Sequence, residues 1–143
     1  MQKFSRLAAV LSGALLAALL AASSANAKEI AAFPSADRTY VATITTLPEG
    51  GPDRGLVLNQ MLVLDIKVAA KDPAHAAPVT HLVFDARMPE HDHGMVVTPR
   101  VTEIAPGDFK VEGVKLHMAG NWQLLITADA GGKSEKFTVP VQI

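Results

Sequence analysis

The chain has 143 residues, no cysteine and a formal net charge of −1. This length builds one domain rather than two. The absence of cysteine excludes disulfide bonds, thiol nucleophiles, thiolate zinc sites, iron–sulfur clusters and blue-copper centres. No basic stripe runs along the sequence, which argues against nucleic acid or anionic lipid as a partner.

The first 27 residues have the order of a secretory signal peptide. Lys3 and Arg6 form a basic start, residues 7–22 are uncharged and rich in Leu and Ala, and Ala25-Asn26-Ala27 places small residues at the cleavage positions. We therefore predict export and cleavage after Ala27, which leaves a mature domain of residues 28–143 with a formal charge of −3. The uncharged run is also long enough to span a bilayer, so retention as a membrane anchor is the alternative.

Beyond Ala27, short β-branched or alternating segments predict strands separated by turns rich in Gly, Pro and Asp. The first half of the domain contains two predicted strands, Arg38–Thr46 and a long one at Leu56–Val68, and two loops at 47–55 and 69–79. Alternation along the long strand predicts one apolar face, made of Leu58, Leu62, Leu64, Ile66 and Val68.

The second half continues the same pattern. Its predicted strands are His81–Arg87, Arg100–Ile104, Phe109–Val111 with Gly113–His117, Asn121–Ala128 and Glu135–Val141. A polar loop at Met88–Met95 follows the first of them, and Ala105–Asp108 has the Pro-Gly order of a type II turn. Residues 129–132 predict another turn.

About seven strands with one apolar face each predict an all-β domain. Two antiparallel sheets packed face to face bury those apolar faces together, so we expect an immunoglobulin-like antiparallel β-sandwich. A doubly wound α/β fold needs helical stretches between its strands, and the sequence has none.

The polar loop holds the most informative residues. His91, His93 and Met95 stand at alternate positions and point the same way if the loop is extended. His117 is the candidate fourth ligand, from another strand. Imidazole and thioether groups form a soft, neutral ligand set that suits copper, especially Cu(I). Zinc is the alternative, with Glu90 and Asp92 supplying carboxylates.

A second interpretation of these residues involves no metal. A loop rich in His and Asp is often only solvated. Met88 and Met118 each continue an apolar alternation, so both are predicted in the core rather than as ligands. Trp122 is predicted to fill the core, or else to pack on the turn after Met118. No nucleophile elbow, phosphate-binding loop or paired carboxylates appear, so we expect no enzyme activity.

The motifs together resemble a known family. The series MPEHDHGM (88–95), Pro99, Val101, FKVEG (109–113) and HMAGNW (117–122) resembles the YtkA-like domain family, which is related to FixH-type proteins; the resemblance covers about Val79 to Val141. It implies an immunoglobulin-like β-sandwich outside the cytoplasm. FixH-type relatives are tied to respiratory-oxidase assembly and copper supply, so the resemblance also implies copper handling by analogy. Ala119 stands where the family usually has proline, and FixH proteins keep a membrane helix.

We therefore expect a periplasmic, non-enzymatic domain that binds or delivers copper through His91, His93, Met95 and His117. The expected partner is a periplasmic copper protein or an oxidase assembly factor, with no nucleic acid and no membrane contact once the signal peptide is removed. Two alternatives remain open. The first is a metal-free protein-interaction module that uses the same loop for recognition. The second is a membrane-anchored, FixH-like assembly factor that keeps its N-terminal segment.

Overall fold

The computed structural model describes residues 28–48 and 55–143. The predicted signal peptide, 1–27, lies outside the described residues. The described chain forms nine strands and one 3₁₀ turn at Pro73–His75, with no α-helix among them. The strands are β1 (Lys28–Pro34), β2 (Tyr40–Leu47), β3 (Leu62–Ala70), β4 (Val79–Met88), β5 (His93–Gly94), β6 (Arg100–Ala105), β7 (Asp108–Val114), β8 (Asn121–Ala130) and β9 (Lys133–Gln142). In the part of the chain described, no helix has the length and apolar character needed to cross a bilayer.

The strands form two antiparallel sheets, in the orders β1-β2-β3-β7-β6 and β5-β4-β8-β9. Without β1 and the short β5, the orders are β2-β3-β7-β6 and β4-β8-β9. Numbered along the chain, this is the order of the seven strands of a constant-type immunoglobulin domain. The predicted β-sandwich is therefore confirmed, with one further strand added to an edge of each sheet.

The core lies between the two sheets. Alternate residues of β4 and β8 face inward, and the large side chains that are almost fully buried come from both sheets. Full burial of each large apolar side chain stabilises the fold by about 1.5–3 kcal/mol. Because the chain has no disulfide, this packing holds the two sheets together. The largest buried side chains are Trp122, Phe109, Phe137, Ile44, Leu64, Ile66, Met88, Leu116, Leu124 and Ile126.

Two hairpin turns have the backbone conformation that their sequences predict. Gly107, the predicted third residue of a type II turn, has φ +76°, and a Cβ there would lie 2.7 Å from the Val68 carbonyl oxygen. Gly131 and Gly132 both have positive φ, as a two-residue hairpin turn requires. Both turns place strands in the register that buries their apolar faces.

Two expectations about local structure are wrong, and one strand lies where the sequence predicted none. The strand predicted from Leu56 begins only at Leu62, because the chain turns at Asn59, whose φ is +59°, and Leu58 is 45% exposed. Met118 is 38% exposed rather than in the core, because β7 ends at Val114 and the alternation of buried residues continues only to Leu116. Strand β1 was not predicted, since its sequence, KEIAAFP, alternates weakly.

Candidate metal centre

His91 and His93 lie in the tight hairpin between β4 and β5. Met88 pairs with His93, and the His91 N–H donates to the Met88 carbonyl (3.2 Å). Asp92 has φ +51°, a left-handed conformation that lets the chain reverse within the loop. Because cross-strand partners point to the same side of a sheet, His93 lies on the side of the buried Met88. The predicted polar loop thus contains a short strand that fixes the direction of His93.

His117 comes from a separate part of the chain, the connection between β7 and β8. Two hydrogen bonds hold this connection in place. The Asn59 N–H donates to the Leu116 carbonyl (2.8 Å), and the Trp122 indole N–H donates to the Met118 carbonyl (2.9 Å). Strand β8 pairs with β4, so the connection that precedes β8 lies beside the hairpin that follows β4.

The structure brings three of the four predicted ligand residues together. The ring centres of His91 and His93 are 5.7 Å apart, and those of His93 and His117 are 5.3 Å apart. Imidazole nitrogens bind a metal at about 2.0–2.1 Å, which sets the ring centres of two tetrahedral ligands roughly 5 Å apart. His93 is the central ring, and each of these two neighbouring pairs has about the spacing of imidazoles that share one ion.

The planes of neighbouring rings are inclined by 29° and 34°, so their faces are turned toward each other more than their nitrogens. Among the described residues, no three His, Asp or Glu side chains have their donor atoms placed to hold a metal ion. Binding by this cluster therefore requires the rings to turn about the Cβ–Cγ bond. That torsion is broad and soft in histidine, so the rotation is small in cost.

One ring nitrogen is left without a partner. His117 Nδ1 is buried and has no hydrogen bond to any described residue. A buried polar atom without a partner costs about 1–3 kcal/mol. By contrast, His93 Nδ1 lies 3.4 Å from the Gly94 carbonyl oxygen, at the outer limit of a hydrogen bond. A metal ion bound at His117 would satisfy the buried nitrogen.

Met95 lies on the same side of the sheet as His93. Its N–H donates to the Ala86 carbonyl (3.1 Å), and its side chain packs against the core, partly buried. The backbone thus places His93 and Met95 on the same side, as their alternate positions predicted. Met88 is fully buried, as predicted, and its Cε lies 2.8 Å from the position of a Cβ on Gly120.

One of the two carboxylates proposed for a zinc site, that of Glu90, is engaged elsewhere. Glu90 Oε1 accepts a hydrogen bond from the Asn121 side chain (3.1 Å), which directs it toward the start of β8. His81, at the far end of β4, is exposed and lies 3.7 Å from Asp129. It is not part of the cluster.

Trp122, predicted either in the core or against the turn after Met118, is also a neighbour of the cluster. Its side chain is 1% exposed, and its ring meets those of His93 and His117 edge-on, at 6.2 and 5.6 Å. The predicted contact with the turn after Met118 is present as the indole hydrogen bond. The signal in the sequence was the short spacing from His117 to Trp122.

No protein family, curated protein or solved structure matches this chain. The resemblance to YtkA-like domains stays a prediction.

Proposed function

We propose that this protein is an exported, non-enzymatic β-sandwich that binds copper through His91, His93 and His117 and presents it to a partner protein in the envelope. The observation that carries the proposal is the gathering of three imidazoles from two separate loops, with ring centres 5.7 and 5.3 Å apart. The unpartnered, buried Nδ1 of His117 supports it.

The chemistry of the nearby groups favours copper over harder ions. Imidazole alone suits zinc, copper, iron and nickel, whereas thioether selects Cu(I). Met95 shares a side of the sheet with His93, so it is the candidate fourth ligand. The Glu90 carboxylate, which a zinc site would use, is bonded to Asn121. Apart from the exposed carboxylate of Asp92, the set left at the cluster is neutral and soft.

Transfer to a partner is supported by where the ligands lie. His91 is exposed in the hairpin loop, His93 is half-buried, and His117 has a buried nitrogen. A partner could replace these ligands one at a time, beginning with His91. A site enclosed on all sides would have to unfold before it released its ion.

The test is titration of the domain, residues 28–143, with Cu(I), Cu(II) and Zn(II) in competition with chromophoric chelators. The variants are His91→Ala/His93→Ala and His117→Ala, and the matched control is His81→Ala, an exposed histidine outside the cluster. We expect the double variant to lose more than about 100-fold in Cu(I) affinity, beyond the 10–100-fold typical of losing a residue that only supports a ligand. Equal Cu(I) affinity in the wild type and the double variant would refute the proposal.

Export is proposed together with this function and has its own test. Mass measurement of the protein isolated from cell envelopes should give a chain that begins at Lys28. An uncleaved chain would instead favour the membrane-anchored assembly factor.

A second candidate, the metal-free interaction module, is favoured by exposed apolar side chains at the same end of the sandwich. Met61, 59% exposed, precedes β3, and Leu58 and Met118 are also exposed. The hydrogen bond from Asn59 to Leu116 brings these two segments together. Elemental analysis of protein purified from the envelope separates the candidates, because only the copper-binding protein should carry copper at close to one ion per chain.

A further inference from the structure

Trp122 occupies a special position beside the cluster. It is the only tryptophan of the chain and the first inward-facing residue of β8. Its indole N–H donates to the Met118 carbonyl at 2.9 Å. A buried Trp usually satisfies its one donor in this way, but here the acceptor is the residue directly after His117. The bond therefore fixes the backbone that carries the third imidazole.

The same indole contacts rings from both loops. The Trp122 ring is inclined by 70° to His93 and by 75° to His117, with centres at 6.2 and 5.6 Å. These are the edge-to-face arrangements that aromatic rings prefer, at separations within the usual 4.5–7 Å. Trp122 is thus a common contact of two ligand residues that the chain itself does not connect.

The turn that follows His117 is held from other sides as well. Gly120 and Ile143 exchange two backbone hydrogen bonds of 3.0 Å. Gly120 has φ +132°, and a Cβ there would lie 2.8 Å from Met88 Cε, so the core packs closely under the turn. The backbone of His117 is therefore placed before any ion arrives and only its ring has to turn, and a backbone placed in advance loses less conformational entropy on binding.

We propose that Trp122 is the positioning residue of the imidazole cluster, fixing the backbone of His117 through the Met118 carbonyl and packing against the His93 and His117 rings so that they stay next to each other, with centres 5.3 Å apart. This inference rests on the proposed copper function. It assigns Trp122 no direct bond to the ion. Residues that orient metal ligands typically change affinity by 10–100-fold when they are replaced.

The test variant is Trp122→Phe, which keeps an aromatic ring and removes the N–H. The matched control is Phe137→Leu, because Phe137 is equally buried in the core but lies on β9, away from the cluster. We expect Trp122→Phe to weaken Cu(I) binding by at least about tenfold and Phe137→Leu to weaken it by less than about threefold. Equal losses in the two variants, or no loss in Trp122→Phe, would overturn the proposal.

A second readout uses the metal-free wild-type protein and does not depend on the variant folding. In the NMR spectrum the indole N–H should exchange slowly with solvent and show contacts to the His117 ring, and the His93 and His117 ring protons should carry ring-current shifts. Trp122→Phe should reduce those shifts, and Phe137→Leu should leave them unchanged. A rapidly exchanging indole N–H with no contact to His117 contradicts the inference. If the wild type itself fails to bind Cu(I) while these contacts are present, the proposed function fails and the geometry stands.

Discussion

The two ends of the sandwich differ in the side chains that gather there. At one end, the tyrosine end (residues 35–40, 70–77, 106–107 and 130–133), the Tyr40 hydroxyl accepts from the Ala77 N–H (3.0 Å) and donates to the Ala77 carbonyl (3.3 Å). Hydrogen bonds from the Thr39 hydroxyl and N–H and the Ser35 hydroxyl hold the pKa of Asp37 well below its usual range. These bonds close the chain turns at this end.

At the other end, the imidazole end (residues 56–61, 88–95 and 115–122), three imidazoles gather, a ring nitrogen of His117 is buried without a described partner, and apolar side chains face solvent. The same two sheets carry both ends, so the framework does not require these features. Under the proposed function, the imidazole end binds copper, whereas the hydrogen bonds at the tyrosine end contribute to stability. Substitutions at the two ends should therefore separate stability from copper binding.

The largest expected loss of stability comes from Gly107→Ala at the tyrosine end. The new Cβ would meet the Val68 carbonyl oxygen at 2.7 Å, and alanine would have to adopt φ +76°. We expect a loss of about 2–4 kcal/mol in the free energy of unfolding, from strain and overpacking together. Urea unfolding measures it, and Cu(I) affinity measured below the unfolding transition should equal that of the wild type. A reduced Cu(I) affinity would show that the two ends are coupled.

Tyr40→Phe should lower the free energy of unfolding by a smaller amount. Removal of the hydroxyl leaves the Ala77 N–H and carbonyl without the partner that they share. We expect a loss of about 1–2 kcal/mol in the free energy of unfolding, checked by thermal and urea denaturation. A variant as stable as the wild type would mean that water replaces the hydroxyl and that this end is not fully bonded by the chain itself.

A third prediction concerns pH and a carboxyl pair that the sequence spacing did not predict, Asp65 of β3 and Asp108 of β7, which the pairing of these strands brings together. Burial, and then the hydrogen bond with Asp108 and its charge, raise the pKa of Asp65 from 3.8 to about 6, against the opposing effect of Lys67. The folded protein thus holds a proton that the unfolded chain has lost, so this contribution to stability is full below pH 4 and lost as the pH rises to about 6.

Asp65→Asn isolates that effect. Because part of the carboxyl is exposed to solvent, we expect the contribution to be on the order of 1 kcal/mol rather than the full value of the shift. Urea unfolding at pH 4, 5, 6 and 7 should show the stability of the variant rising relative to that of the wild type over this range. If the free energies of unfolding of the two proteins change in parallel with pH, the carboxyl of Asp65 does not contribute to the pH dependence of stability.

The smallest expected change in stability is at the imidazole end. His117→Leu replaces a ring that has an unpartnered buried nitrogen by an apolar side chain, and such a replacement can be neutral or stabilising. We expect the free energy of unfolding to stay within about 0.5 kcal/mol of the wild type, whereas Cu(I) binding is lost. A loss of more than about 2 kcal/mol would show that His117 is part of the structural core rather than a ligand.

Local patterns predicted most of the framework. The alternation in β4 and β8 identified their buried faces, and the Pro-Gly order identified the turn at Gly107. The same alternation was wrong at Leu58 and Met118, because it continues in the sequence past the residues where the strands end. Strand ends depend on pairing with neighbours, which a local pattern does not contain.

The sequence by itself determined that the domain is an all-β sandwich without cysteine and that its metal-binding residue types lie in two short motifs. Only the tertiary structure decided that His117 lies beside His93 and that Trp122 packs against both. The physical reason is the pairing of β4 with β8, which places the end of one strand beside the start of the other. That pairing is fixed by burial of two apolar faces, which involves none of the three histidines.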